Sequence, residues 1–134
     1  MKTYQKLYKL IRLLLFYMTQ FWQGDLLLQS VDRIPRGAKK NPDNIIALGE
    51  ATNHAHILDG GQTAIYTFNE HFWNKDAIPT ILIEVKKSTT LRHINIVTKE
   101  QADHAPVELP TGIYKVIRQV EMNPFDRKMH LVLD

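Results

Sequence analysis

The sequence predicts a mainly β protein, a small antiparallel β-barrel or sandwich preceded by one amphipathic helix. Helical spacing of apolar residues is confined to the first 22 residues. After Gly24, short segments rich in Ile, Val, Leu, Thr and Tyr are separated by Pro and Gly turns, and no comparable helical pattern interrupts them. That series argues against the crossover helices of a parallel sheet. We therefore expect a basic helical arm over residues 1–22 and a single β-rich domain over residues 23–134.

The arm is the stretch MKTYQKLYKLIRLLLFYMTQFW. Its apolar stripe recurs at helical spacing and comprises Leu7, Leu10, Ile11, Leu14, Leu15 and Met18. The arm holds four of the 17 basic residues and none of the 14 acidic ones. The stripe indicates packing on the domain or self-association through the helix. Binding to a membrane surface is the less favoured alternative, and the apolar run is too short to span a bilayer.

Seven strands are predicted in the domain, each a segment of β-branched and aromatic residues bounded by turn signals such as DGG, LPTG and NPFD. They cover residues 25–31, 44–58, 63–68, 80–86, 92–98, 112–121 and 129–133. The close spacing of these strands favours antiparallel neighbours.

The composition excludes several classes of function. The chain has no cysteine, so disulfides, zinc ribbons and thiol catalysis are ruled out, and a metal site must use His, Asp or Glu. The absence of cysteine also suits a cytoplasmic protein. Outside the arm the chain is close to neutral, which makes it a poor candidate for long duplex nucleic acid. Single-stranded RNA remains an alternative partner if Phe72 or Trp73 stacks on a base.

The most suggestive stretch is EATNHAHIL, which places two histidines on either side of one small residue, with an acid four positions before the first. We predict that one strand over residues 44–58 contains it. Side chains two apart on a strand point the same way, so Glu50, His54 and His56 would share one face. We therefore expect these three side chains to line a pocket.

A second strand, predicted over residues 112–121, places Tyr114 and Arg118 on one inward face. A guanidinium does not lose its proton, so an inward Arg118 needs a carboxylate or phosphate partner. Glu50 or an anionic ligand would supply that partner. We expect Glu50, Arg118 and Tyr114 to contribute to the binding of a small anionic ligand.

Three stretches resemble a family of small, uncharacterised bacterial and phage-type proteins: WQGDLLLQSVDRIPRGAKK, ALGEATNHAHIL and DHAPVELPTGIYKVIRQVEMNP. The pattern of that family runs Gln-Gly-Asp, Gly-Glu-x-Thr-Gly-His-x-His, His-Ala-Pro, Leu-Pro-x-Gly-x-Tyr and Arg-Gln. The resemblance covers most of residues 22–134, and Asn53 stands where the pattern has Gly. It implies no activity. It does group His104 and Arg118 with His54 and His56 as members of shared motifs.

Three interpretations of His54, His56 and His104 remain open. They bind a divalent ion, zinc or manganese, with Glu50 as an alternative third ligand to His104. They act without metal as general acid and base on a phosphodiester, with Arg118 stabilising the charge of the transition state. Or they are ordinary polar residues of a non-catalytic interaction or assembly module that uses the helical arm and exposed aromatics. The remaining histidines are interpreted as incidental: His71, His93 and His130.

Overall fold

The computed structural model describes residues 2–48, 53–70, 73, 77–118, 120–122, 124–127 and 129–131, with the backbone alone for 12–18, 120–122 and 129–131. The described chain contains one helix and two antiparallel sheets whose inner faces meet. The predicted mainly β class is therefore confirmed. Of its two forms the sandwich fits, because the sheets do not close into a barrel.

The helix α1 covers Thr3–Met18. The strands are β1 Gln20–Gln23, β2 Leu26–Ser30, β3 Lys39–Asn41, β4 Ile45–Leu48, β5 His54–Asp59, β6 Gln62–Phe68, β7 Thr80–Lys87, β8 Thr89–Asn95, β9 Val107–Leu109, β10 Gly112–Arg118, β11 Val120–Met122 and β12 Met129–Leu131.

Every strand pair is antiparallel among the described residues. The large sheet has the order β1-β2-β10-β7-β6-β3 and the small sheet the order β4-β5-β8-β9, while β11 and β12 pair as a separate hairpin. In strand β10, Tyr114 and Val116 alternate with more exposed residues, as expected for a strand with one buried face. The two buried faces form one core, made of Leu26, Leu28, Ile65, Ile83, Val85, Tyr114 and Val116 from the large sheet and Ile46, Ala47, Leu58, Leu91 and Leu109 from the small sheet.

The prediction of one strand over residues 44–58 is wrong. The structure has two strands there, β4 and β5, which are antiparallel neighbours with Ile45 opposite Ile57 and Leu48 opposite Ala55. Asn53, just before β5, has a φ of 65°, a left-handed conformation that cannot continue an extended strand but that Asn tolerates. The chain therefore reverses direction within residues 44–58, although the alternation of side chains alone predicts one continuous strand there. Glu50 lies outside the described residues.

The helix is also shorter than predicted. It ends at Met18, and Gln20–Gln23 pairs with β2 as the edge strand of the large sheet. Aromatic residues suit a half-buried strand, and Phe21 packs edge-on against Tyr114 with ring centroids 5.8 Å apart. Leu7, Leu10 and Ile11 are exposed, so the domain does not bury these three residues of the stripe, and the alternative of self-association through the helix stays a prediction. In the described chain, the helix falls short of the length and apolar character that crossing a bilayer requires.

A two-residue turn, Gly60-Gly61, joins β5 to β6. Both glycines have positive φ, 81° and 70°, a left-handed conformation that glycine adopts readily, and the turn takes the chain from the small sheet to the large sheet. Thr89 donates a hydrogen bond from Oγ1 to the carbonyl of Gly60 at 2.7 Å. A side chain at Gly61 would meet the backbone carbonyls of Lys87 and Ser88, whereas one at Gly60 would meet open space.

We expect Gly61→Ala to destabilise the protein clearly more than Gly60→Ala. Both substitutions incur about 1–2 kcal/mol for a left-handed alanine, and Gly61→Ala adds about 1–3 kcal/mol because its methyl group must displace backbone atoms. Urea unfolding of the two variants measures the difference. Equal losses of unfolding free energy in the two variants would contradict the close approach of Gly61 to the 87–88 backbone.

Candidate functional site: a histidine cluster between the sheets

Four histidines lie together on the inner side of the small sheet. Two of them, His56 on β5 and His93 on β8, are direct cross-strand partners. Both are buried, at 1% and 0% exposure, and their rings stack with centroids 4.4 Å apart and an interplanar angle of 17°. Leu58 and Leu91 continue the same face of these strands into the apolar core. The two imidazoles therefore extend the core rather than the surface.

The other two histidines complete the cluster. His104 also stacks with His93, with centroids 4.9 Å apart and an interplanar angle of 27°. Its ring lies 6.3 Å from that of His56. His54 meets His93 edge-on, at 5.6 Å and 88°. The structure thus brings together His54, His56 and His104, the three histidines that the sequence analysis selected, and places His93 among them.

The connection between β8 and β9 brings His104 to the cluster. The Asn95 side chain accepts hydrogen bonds from the backbone N–H groups of Val97 and Thr98, at 3.0 and 3.1 Å, and so begins a turn. Further along, the N–H of Ala102 donates to the carbonyl of His93 at 2.8 Å. These bonds fold the connection back along β8, so that its last residues run beside the strand that carries His93.

The Gln23 side chain links the large sheet to this cluster. It is 3% exposed, and its Nε2 donates to the carbonyls of Leu91 and Ala105, each at 2.9 Å. Its Oε1 lies 2.9 Å from Nδ1 of His56. Because the amide nitrogen is held by two acceptors, the amide oxygen must accept the third bond, and Nδ1 of His56 must donate it. A neutral His56 therefore carries its lone pair on Nε2.

Asp25 lies on the other side of the same ring. Gly24, with a φ of 59°, turns the chain between β1 and β2 and separates Gln23 from Asp25. The carboxylate of Asp25 is 8% exposed, and its Oδ1 lies 4.0 Å from Nε2 of His56. The Gln-Gly-Asp stretch thus approaches both nitrogens of one imidazole. Either a protonated ring or a cation between the two groups would satisfy this arrangement electrostatically.

Arg118 lies opposite Leu26 in the pairing of β10 with β2, so its backbone is one residue from the level of Asp25. Cross-strand partners share a face, and Leu26 is fully buried, so Arg118 belongs to the inner face. Its side chain lines a cavity of about 500 Å³ together with Lys115 and Thr80. None of the four described histidines of the cluster lines that cavity.

Tyr114 lies in the core, 2% exposed, and its hydroxyl donates to the carbonyl of Pro110 at 2.7 Å. Burial raises its pKa above the ordinary value of 10.0. The phenol thereby ties β10 to the chain segment just before it. These contacts give Tyr114 a structural part in the sandwich.

The described residues contain no group of three His, Cys, Asp or Glu side chains already arranged around one metal position. The stacking explains why. An imidazole offers its lone pair in the plane of the ring, and the nearly parallel planes of His56, His93 and His104 keep their lone pairs from converging on one ion. A shared ion needs at least one of these rings to turn.

Sequence reasoning missed Gln23, Asp25 and His93. The first two belong to the Gln-Gly-Asp motif, which the family resemblance contained but to which no role was given. His93 was set aside because no acid lies near it along the chain. His93 meets the other histidines because β8 pairs with β5. The prediction of a single strand over residues 44–58 did not include this pairing.

The fold and site define a β-sandwich domain with a buried histidine cluster. A family model described as a domain of unknown function (DUF8820) matches residues 22–119. The chain belongs to this family. The match runs from β1 to the residue after β10 and includes all four clustered histidines, Gln23 and Asp25. No curated protein and no solved structure matches the chain.

We expect Gln23→Ala to lower the free energy of unfolding by about 2–4 kcal/mol, because it removes the partner of two carbonyls and one imidazole N–H in a buried region. Gln20→Ala, on the exposed face of the same strand, is the matched control and should cost less than about 0.5 kcal/mol. Chemical denaturation measures both. A loss for Gln23→Ala no larger than the control's would show that Gln23 does not join the sheets.

We expect the stability of the protein to fall above about pH 10. The unfolded chain releases the phenolic proton of Tyr114 at the ordinary value, while burial raises the pKa of Tyr114 in the folded chain. The contribution is complete below the unfolded pKa and is lost as the pH rises towards the folded pKa. Tyr114→Phe should lose about 1 kcal/mol at neutral pH and show a weaker alkaline decline. Parallel unfolding curves for the two proteins between neutral and alkaline pH would contradict this assignment.

Proposed function

We propose that this chain binds a divalent transition-metal ion, zinc or manganese, between His56 and Asp25. The observation that carries the proposal is the orientation of His56. Its Nδ1 donates to Gln23, so the lone pair of its neutral form is on Nε2, the nitrogen that lies 4.0 Å from Oδ1 of Asp25. Two electron-pair donors that face each other at this separation repel, and a cation between them removes the repulsion.

The distance between His56 and Asp25 is close to what a bridging ion requires. Zinc binds imidazole nitrogen at about 2.0–2.1 Å and carboxylate oxygen at about 2.0–2.2 Å. An ion in contact with both groups therefore suits a nitrogen–oxygen separation of up to about 4.2 Å. The 4.0 Å between His56 and Asp25 is inside that limit but corresponds to a nearly linear N–metal–O angle, so tetrahedral zinc requires the two atoms to approach to about 3.4 Å.

The Gln23 contact supports the same conclusion. A histidine that ligates a metal almost always donates its other ring N–H to an oxygen acceptor, which holds the tautomer and the ring orientation. The bond from Nδ1 of His56 to Oε1 of Gln23 has this form. Gln23 is itself held by the carbonyls of Leu91 and Ala105, so the acceptor cannot turn away easily.

Further ligands are available in the cluster. His54 is half-buried, and its Nδ1 is enclosed without a hydrogen-bond partner. Rotation of His54 or His104 about its side-chain torsions would bring a second imidazole to the ion. Glu50, predicted from the sequence as an alternative ligand, stays a prediction.

An ion held this way with an open coordination position would make the chain a candidate hydrolase. Metal-bound water has a pKa near 7, which makes hydroxide available at neutral pH. A phosphodiester is the substrate class we favour, because Arg118 lies on the inner face near the level of Asp25 and carries the permanent charge that an oxyanion needs.

The metal-free alternative uses the same atoms. If His56 is protonated, its Nε2–H points towards Asp25 and the pair forms an ion pair. Such a cluster would act as general acid and base and would attract an anion more strongly as more imidazoles become charged. The two alternatives therefore respond to pH in opposite directions.

We expect calorimetric titration with zinc or manganese to show binding at about pH 7.5 and weaker binding at about pH 5.5, because protons compete for the imidazoles through about pH 6.5. Asp25→Asn, which preserves the shape of the side chain, should reduce the affinity by more than about tenfold. Asp32→Asn, at an exposed position, is the charge-matched control and should leave the affinity unchanged.

Two results would contradict the proposal. One is equal metal affinity in Asp25→Asn and the unmodified protein. The other is a failure to bind either ion at the higher pH. Binding of inorganic phosphate that strengthens as the pH falls would instead favour the metal-free alternative.

A further inference from the structure

The described part of α1 leaves an apolar face uncovered. Tyr4, Leu7, Tyr8 and Ile11 follow the i, i+3, i+4, i+7 spacing of one helix face. Each of them, and Leu10 beside them, is between 45% and 65% exposed. No strand of the described domain covers these side chains. The face is too large to be a scatter of single surface residues and indicates a binding surface.

The opposite face of the helix is positively charged. At about 100° per residue, Lys2, Lys6 and Lys9 fall within an arc of about 60° on the side away from Tyr4 and Ile11. All three are exposed. The first acidic residue of the chain is Asp25, so no carboxylate on the helix balances these charges.

The positive charges near the amino-terminal end of α1 are also unfavourable for an isolated helix in water. The amino-terminal end of a helix carries a partial positive charge that favours acidic residues, yet the first turn of α1 contains none and Lys6 lies near it. A helix of this length is marginal on its own in water. A negatively charged partner would compensate both the lysines and the positive end of the helix dipole.

We propose that α1 binds the surface of an anionic membrane, lying in the plane of the headgroups with the Tyr4–Ile11 face towards the acyl chains. A wide apolar face opposed by lysines is the pattern of helices that lie in the membrane interface. The apolar arc, from Leu10 round to Tyr8, spans about 160°, which suits a flat lipid surface better than the narrow seam of a helix pair.

A second copy of this chain is the competing occupant. Pairing two α1 helices through this face would leave both sets of lysines on the outside of the pair, with no acidic residue on either helix to balance them. Anionic lipids supply the opposite charge that a second copy lacks. Charge complementarity therefore favours the lipid surface.

The test is sedimentation of the full-length chain with vesicles of phosphatidylcholine alone and of phosphatidylcholine mixed with phosphatidylglycerol. We expect binding to the mixed vesicles, little binding to phosphatidylcholine, and weakening by added salt. Leu7→Glu combined with Ile11→Glu should abolish binding.

Two lysine pairs make a matched comparison. Lys6→Gln with Lys9→Gln should weaken binding by about 30-fold, from the loss of two charges near the surface. Lys39→Gln with Lys40→Gln removes the same charge from the exposed strand β3 and should change binding less than about twofold, because that pair lies outside the helix.

Three outcomes would overturn the proposal. The first is equal binding to neutral and anionic vesicles. The second is an equal loss of binding for the two lysine pairs. The third is absence of vesicle binding together with a dimer, seen by sedimentation equilibrium, that Leu7→Glu dissociates; this result would assign the face to a second copy.

Discussion

The amide of Gln23 is the interaction on which the arrangement of this domain depends. A single buried side chain on the large sheet satisfies the carbonyl of Leu91 on β8, the carbonyl of Ala105 in the connection before β9, and the Nδ1–H of His56. The same amide therefore also holds this connection against β8. The position of the His56 ring is thus determined by a contact between the sheets rather than by β5 alone.

A core that contains imidazoles has a cost. His56 and His93 occupy fully buried positions. An apolar side chain would be less costly there, because a buried polar atom that lacks a hydrogen bond destabilises the folded state. A domain of this size has limited apolar surface with which to offset such groups. The buried His56, His93 and Asp25 therefore fill part of a limited core with polar atoms.

The sequence was sufficient for the fold class because alternation and turn chemistry act locally. DGG marked the turn between β5 and β6, and the alternation around Tyr114 marked β10 correctly. Alternation could not reveal that the chain reverses direction between β4 and β5, because apolar and polar residues keep the same period on both strands. For the site, the His-x-His spacing was enough to predict that His54 and His56 belong together, and the motifs of the resembling family added His104. The contribution of His93 depends on which strand lies next to β5, and that of Gln23 depends on how one sheet sits on the other. Neither the pairing of these strands nor the packing of the two sheets can be predicted from a local sequence pattern.

The shortest strand of each sheet lies at an edge, where it limits pairing with strands of other molecules. Open sheet edges invite pairing with other chains, and natural proteins protect them with short strands, lysine and proline. Strand β3, at one edge of the large sheet, is three residues long and begins Lys39-Lys40. Strand β9, at one edge of the small sheet, is also three residues long and lies between Pro106 and Pro110, which have no N–H to donate. Fibril-like addition of strands is therefore disfavoured at these two edges.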